Sequence, residues 1–302
     1  REAHLPYISR SAYKTARNIL DPNFLTEEDW SVQLFGEEMG YSGALIHGQG
    51  GVGKTRLMLE LGAIAIGRGF KVIRVSPEKA NLQELIPSLL SSERYVLLFD
   101  YIEESEAYEI NELDALISSG HQIITIANCR NTYLHSSSVD SGDRILLINL
   151  DDDAESATGF DQYVIEQLLK GLLESYDSMN VDFYKIRPAF AVFLNYLHAT
   201  KKLHETDLRE LGDFKRWTRH RIKLLFEGSD VREISAKFFH LCAVLPINSE
   251  REYRLRSLPH LSNWLDKLSE DGWVEKNSDE SKWESVSFAH DTLSDELLIL
   301  FY

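Results

Sequence analysis

Eight consecutive residues, Gly48-Gln49-Gly50-Gly51-Val52-Gly53-Lys54-Thr55, have types and spacing that suit one piece of chemistry. They satisfy Gly-x-x-x-x-Gly-Lys-Thr, the phosphate-binding loop pattern. Glycines let the backbone wrap until successive N–H groups face phosphate oxygens, and a helix starting there adds the positive end of its dipole. A lysine at position 54 reaches β- and γ-phosphates, and the Thr55 hydroxyl can ligate Mg²⁺. Gly48, Gly50, Gly51, Val52, Gly53 and the adjoining Arg56 complete the loop's candidate contacts. A glycine-rich turn that merely precedes a lysine is the alternative. That accident arises in on the order of one chain in a hundred of this length.

Asp100 is the expected partner. It closes the apolar run Tyr95-Val96-Leu97-Leu98-Phe99, so a strand there would deliver a carboxylate to Mg²⁺ beside the loop. Glu103 and Glu104 follow and are candidates to orient a hydrolytic water, although an acidic, solvated loop over Glu103–Glu106 is the competing reading. The next apolar run ends in Ala127-Asn128-Cys129-Arg130. If its strand lies between the loop strand and the Asp100 strand, Asn128 and Arg130 can sense a γ-phosphate. Cys129 reads as a small buried side chain, since no catalytic His or Asp pattern accompanies it.

These residues need strands that end together. Apolar runs predict strands at 42–47, 71–75, 95–100, 122–127 and 144–149, with helices at 56–67, 81–90 and 111–119 between them. Continuous apolar strands alternating with helices indicate an α/β fold with a parallel sheet covered on both faces. Beyond Asp151-Asp152-Asp153 the strand signal stops, and 160–175, 188–199, 205–225 and 230–244 carry helical spacing. A helix over 258–268 and a hairpin of 273–276 with 283–288 across 277–281 suggest a winged-helix end. The expected plan is a nucleotide-binding domain over 1–152, a helical domain over 153–228 and a winged-helix domain over 229–302.

Composition narrows the classes. The 32 lysines and arginines against 48 aspartates and glutamates leave a net charge of −16, which opposes general DNA coating. A 43% hydrophobic content excludes wholesale disorder, and no stretch approaches the ~18 apolar residues of a membrane helix. Two cysteines, Cys129 and Cys242, are too few for a disulfide framework and fit a reducing, cytoplasmic setting. Arg1 stands where a Met would open a chain, so a segment of something longer is expected.

Together these residues resemble the STAND class of signal-transducing P-loop ATPases, relatives of the NB-ARC domains of apoptotic and plant immune receptors, over nearly the whole chain. Tyr7-Ile8-Ser9-Arg10 resembles the class's adenine-contacting N-terminal motif, with Ser9 in place of its Gly. Asn128-Cys129-Arg130 falls where the class has Thr-Thr-Arg or Thr-Ser-Arg. Ile186-Arg187-Pro188 resembles the helical-domain motif whose Pro packs on the base, and Phe288-Ala289-His290-Asp291 the winged-helix motif whose His meets the β-phosphate of ADP. Pro188 can equally be an ordinary helix-starting proline. Where the class often has two acids, this chain has Asp100-Tyr101, which leaves the water-activating carboxylate open.

The fold implied is a P-loop NTPase sheet of the ASCE/AAA+ kind followed by helical and winged-helix domains. Within the class, bacterial antiphage NTPases are the most similar; an N-terminal effector, often a nuclease, and a C-terminal repeat sensor flank their ATPase core. The resemblance implies ATP/ADP and Mg²⁺ as cofactors. It also implies an ADP form held closed by His290, and a foreign (phage) protein as trigger through the sensor. The activated form would be a homo-oligomer, a tetramer being one form, with no membrane partner and DNA met only through the effector.

The rival class is an AAA+-like DNA-acting ATPase, a replication initiator or transposition helper. Its recognition helix, Leu258 to Asp271, holds one lysine, Lys267, against Asp266, Glu270 and Asp271. The basic run Lys215 to Lys223 has three readings: a solvated helix face, inward use of Arg219 or Arg221 at a phosphate or subunit interface, or DNA contact. A metabolic P-loop kinase fits less well, because helical and winged-helix extensions do not close over a small substrate.

Overall fold

The computed structural model describes residues 7–36, 41–48, 50–75, 82–102, 122–131, 144–151, 159–175, 188–199, 214–226, 230, 232–234, 236, 247–248, 259–271, 273–279 and 282–288. The chain divides into two compact units, Pro6–Val164 and Ile165–Tyr302 with Arg1–Leu5.

The first unit is built on five parallel strands, β1 (Gly43–His47), β2 (Lys71–Val75), β3 (Arg94–Phe99), β4 (Gln122–Cys129) and β5 (Ile145–Asn149), in the order β2-β3-β4-β1-β5. Their side chains alternate between two cores, as the period-two geometry of a strand requires. Ala44 and Ile46, Val96 and Leu98, and Ile124 and Ile126 pack one face with Leu57, Met58 and Leu61 of α3 (Lys54–Gly67) and Leu34 of α2 (Glu27–Phe35). Leu45, Leu97, Phe99, Ala127 and Cys129 pack the other face with Ile86 of α4 (Leu82–Ser88). Each fully buried leucine contributes about 1.5–3 kcal/mol relative to exposure. That burial clamps the strand ends together.

Ahead of the sheet, α1 (Arg10–Arg17) starts at the N-cap Ser9, whose hydroxyl accepts from Ala12 N–H. α2 opens on a capping box in which Thr26 and Asp29 satisfy each other's backbone N–H. Buried Glu27 joins the two helices, accepting from the Arg10 N–H at 2.7 Å and from the Ser11 N–H at 3.2 Å. A carboxylate at that helix start complements the dipole.

α5 (Phe160–Ser175) contains the division between the units. The second unit adds α6 (Pro188–Ala199), α7 (Phe214–Leu225), β6 (Ile247–Asn248), α8 (Pro259–Asp271), β7 (Val274–Asp279) and β8 (Lys282–Phe288). Its three strands form an antiparallel sheet in the order β6-β8-β7. Among the described residues, no helix is long and apolar enough to cross a membrane.

Several boundaries differ from the sequence reading. β4 runs to Cys129, two residues past its apolar run, because Asn128 and Cys129 pair with Ile46 and His47 of β1. In the hairpin, β7 extends through Asn277-Ser278-Asp279, with a register shift between Asn277 and Ser278. Cross-strand pairing there overrides the turn preference of those residues. The helices expected over 111–119 and 205–213 lie outside the described residues. Of the 230–244 run, Arg232–Ile234 and Ala236 are helical among the described residues.

Candidate nucleotide site

The loop after β1 turns directly into α3. Gly53 caps that helix at φ 98°, ψ 18° with open space where a Cβ would stand, so the requirement for glycine is conformational. As N-cap it brings no side-chain oxygen to the first helical N–H groups, an arrangement in which an anion takes the capping role. At Gly48, φ 152°, the requirement is space as well: a Cβ there would meet Asp151 Oδ1 and Val52 Cγ2 at 3.1 Å each.

Lys54 is 3% exposed, and its ammonium donates to the Gly48 carbonyl at 3.0 Å, closing the loop on itself. Thr55 Oγ1 donates to Asp100 Oδ1 at 2.8 Å. Asn128 Nδ2 donates to the same oxygen at 2.7 Å, while its Oδ1 accepts from the Tyr101 N–H at 2.8 Å. The placement required for sensing is therefore present, since β4 lies between β1 and β3 and Asn128, fully buried, bridges the loop helix to Asp100.

One partner of Asp100 had no local signal. Arg74, on β2, donates to Asp100 Oδ2 at 3.0 Å although its side chain is 62% exposed against 17% for the carboxylate. In solvent such a pair is worth less than about 1 kcal/mol. Tyr101 is the other surprise. It holds φ 56°, a left-handed conformation that costs a non-glycine residue about 1–2 kcal/mol, and its ring lies 5.8 Å from the Lys54 ammonium and 5.4 Å from the Arg130 guanidinium carbon. A third unforeseen group is the polar chain His47–Asn131–Asp151. It joins the ends of β1, β4 and β5, with His47 Nδ1 and Asn131 Oδ1 3.1 Å apart and Asn131 Nδ2 donating to Asp151 Oδ2.

In the N-terminal segment, the Tyr7 phenol donates to Glu27 Oε1 at 2.6 Å, and the Arg56 guanidinium stands 5.6 Å over the Tyr7 ring. Burial and then the Glu27 charge push that phenol far above its ordinary range, so it stays a donor. Ile8 is half-buried beside it. Arg10 is buried with its guanidinium 4.3 Å from the Phe24 ring centroid, 5.0 Å from Phe160 and 5.1 Å from Trp30, and its Nε donates to the Leu25 carbonyl. The three rings thus surround the Arg10 guanidinium. Pro188, in the second unit, is the buried first residue of α6. Glu103, Glu104 and His290 lie outside the described residues.

The strand order and the loop decide the fold. It is a P-loop NTPase sheet, with β4 inserted between the loop strand and the Asp100 strand. No family model matches the chain, and no curated protein sequence does. Solved structures similar to it include a point mutant of RuvB from Thermotoga maritima, 16% identical with a TM-score of 0.43, covering 90% of this chain and 91% of that one. A DNA replication initiation factor is 18% identical with a TM-score of 0.37, covering 78% and 70%. A DNA polymerase III gamma subunit-related protein from Thermotoga maritima is 13% identical with a TM-score of 0.40, covering 81% and 98%. These scores are low, so the assignment of this P-loop NTPase fold rests on its own strand order and loop.

The residues fit ATP or ADP with Mg²⁺. A buried lysine lies on the loop, a hydroxyl meets a carboxylate at 2.8 Å, and a glycine caps the helix that faces them. Thr55 and Asp100 are the groups that would hold the cation. Asp100→Asn is expected to weaken the enhancement of ATP affinity by Mg²⁺ about tenfold, the loss of one charge-assisted contact. Calorimetric titrations with and without Mg²⁺ check this.

Proposed function

We propose that this chain is an ATP/ADP-binding switch, the central STAND-type ATPase core of an antiphage defence sensor. The observation that carries the nucleotide part is the meeting of Lys54, Thr55, Asp100 and Asn128 at three adjacent strand ends. Bound Mg²⁺ would neutralise charge between the β- and γ-phosphates. Lys54 holds the phosphate chain, Thr55 and Asp100 place the cation, and Asn128 reports whether that carboxylate is engaged. Tyr7, fixed by Glu27, and Ile8 form the adenine side, with Arg56 over the Tyr7 ring. Glu103 or Glu104 is the candidate to orient water, with Arg130 on the γ-phosphate side.

The domain plan in this reading is 1–152 for nucleotide, 153–228 helical and 229–302 winged-helix. α8 followed by the β7–β8 hairpin and β6 supports the last of these. In the closed form His290 holds ADP and Pro188 packs on the base. Shifting such a switch from about 1% to 99% open takes ~5.5 kcal/mol. One histidine–phosphate contact of about 1.5–3 kcal/mol is therefore not the whole lock.

The DNA-acting alternative needs basic groups directed outward. Of its candidates, Lys267 lies 5.6 Å from the Phe226 ring centroid, and Arg221 is buried on Asp271 with Nε to Oδ2 at 2.8 Å. Lys267 and Lys223 are nonetheless exposed, so of these candidates Arg221 alone is withdrawn from an outward role and counts toward the switch. Full-length protein purified from phage-infected cells is expected to form an ATP-dependent assembly by mass photometry, larger than that from uninfected cells. An unchanged size overturns the switch. Duplex DNA bound tighter than about micromolar at physiological salt would install the alternative.

A further inference from the structure

We propose that Tyr101 is a positioning residue of this site, one that holds Arg130 ready for the γ-phosphate and so gives the chain a preference for ATP over ADP. This deepens the nucleotide reading and rests on it. Three observations carry it. First, the ring lies within 6 Å of two cations from different elements, Lys54 at the start of α3 and Arg130 just beyond β4. An arginine over an aromatic ring spends the face of its guanidinium on the ring, whereas phosphate is bound by the N–H edge. The ring can therefore orient Arg130 without consuming the part that meets phosphate.

Second, the backbone is held for this purpose. Tyr101 adopts φ 56°, where few non-glycine residues sit, and the buried side chain of Asn128 fixes its N–H at 2.8 Å. The left-handed turn follows immediately on Asp100, so the same residue pair sets both the carboxylate and the ring. Third, Asn128 also donates to Asp100. The ring and the metal-binding carboxylate thus share one buried amide, and movement of either is felt by the other.

The γ-phosphate distinguishes ATP from ADP, and the nucleotide reading assigns Arg130 to that side, so loss of the ring should weaken ATP selectively. Calorimetry of the whole 302-residue chain with Mg·ATP and Mg·ADP tests this. Tyr101→Leu keeps bulk but removes the π face and is expected to lower ATP affinity about fivefold while changing ADP less than about twofold. Tyr101→Phe, which keeps the ring, restores the preference. Arg130→Ala should show the same ATP-selective loss, and the double variant Tyr101→Leu/Arg130→Ala should be no worse than Arg130→Ala alone. Equal losses for both nucleotides, no loss, or additive losses in the double variant overturn the proposal. A wild-type chain that binds neither nucleotide overturns the nucleotide reading itself, a distinct result.

Discussion

Lys54→Ala should lower affinity for both ATP and ADP by on the order of a hundredfold. Lys54 is buried, its ammonium lies against the loop it must serve, and a charged hydrogen bond to phosphate is worth about 1.5–3 kcal/mol. The loss is expected to exceed that of any other single change at the site, because both diphosphate and triphosphate present the β-phosphate this side chain reaches. Thermal denaturation controls for folding, since Lys54 also donates to the Gly48 carbonyl. A variant that melts like the parent and binds ATP as tightly as the parent would remove the assignment of the loop as the phosphate site. Retained binding with an unfolded second unit would not.

The second large effect concerns stability and lies far from the nucleotide in sequence. Asp271→Ala should destabilise the unit formed by residues 165–302 by about 3–5 kcal/mol. Arg221 donates to both oxygens of Asp271 at 2.8 Å, and Trp273 Nε1 adds a third bond at 2.7 Å. Arg221 is only 5% exposed, so deleting the carboxylate removes the bidentate counter-charge of a buried guanidinium together with the acceptor of an indole N–H. An exposed pair would cost under about 1 kcal/mol on deletion. Replacing both members, as Arg221→Met with Asp271→Leu, should recover most of the loss because no charge then remains buried. Urea denaturation followed by tryptophan fluorescence measures this directly. Trp217, Trp264, Trp273 and Trp283 belong to this unit and only Trp30 to the other. A single-variant loss below about 1 kcal/mol would show that the pair is solvated in solution.

What the sequence disclosed follows from the range of each interaction. The phosphate loop was legible because its eight residues are contiguous and their types are imposed by backbone geometry. Asp100 was legible because a strand of apolar residues ending in a carboxylate is a local pattern. Arg74 was not: its contact with Asp100 spans 26 residues and depends on β2 lying beside β3. The same holds for His47, Asn131 and Asp151, which meet only because three strands end side by side. Asp271 is the instructive case. Its charge was counted as evidence against DNA reading, yet it is used internally by Arg221, whose basic run offered inward use only at a phosphate or a subunit interface. The left-handed backbone of Tyr101 leaves no trace in composition, since aromatic residues seldom take that conformation.

The place of β4 between β1 and β3 has a further consequence. Ile46 pairs with Asn128 on one side while Phe99 pairs with Ala127 on the other, so two independent ladders fix the same strand. Asn128 faces α3, where it meets Thr55 and Met58, whereas Ala127 and Cys129 belong to the opposite core. Sliding β4 by one residue would bring an alanine or a thiol under the loop helix and bury a carboxamide among Phe99 and Ile102. The chemical identity of the site is thus written in strand alignment as much as in the loop. A one-residue insertion or deletion within 122–127, distant from any phosphate, would erase the site as completely as removing a loop residue.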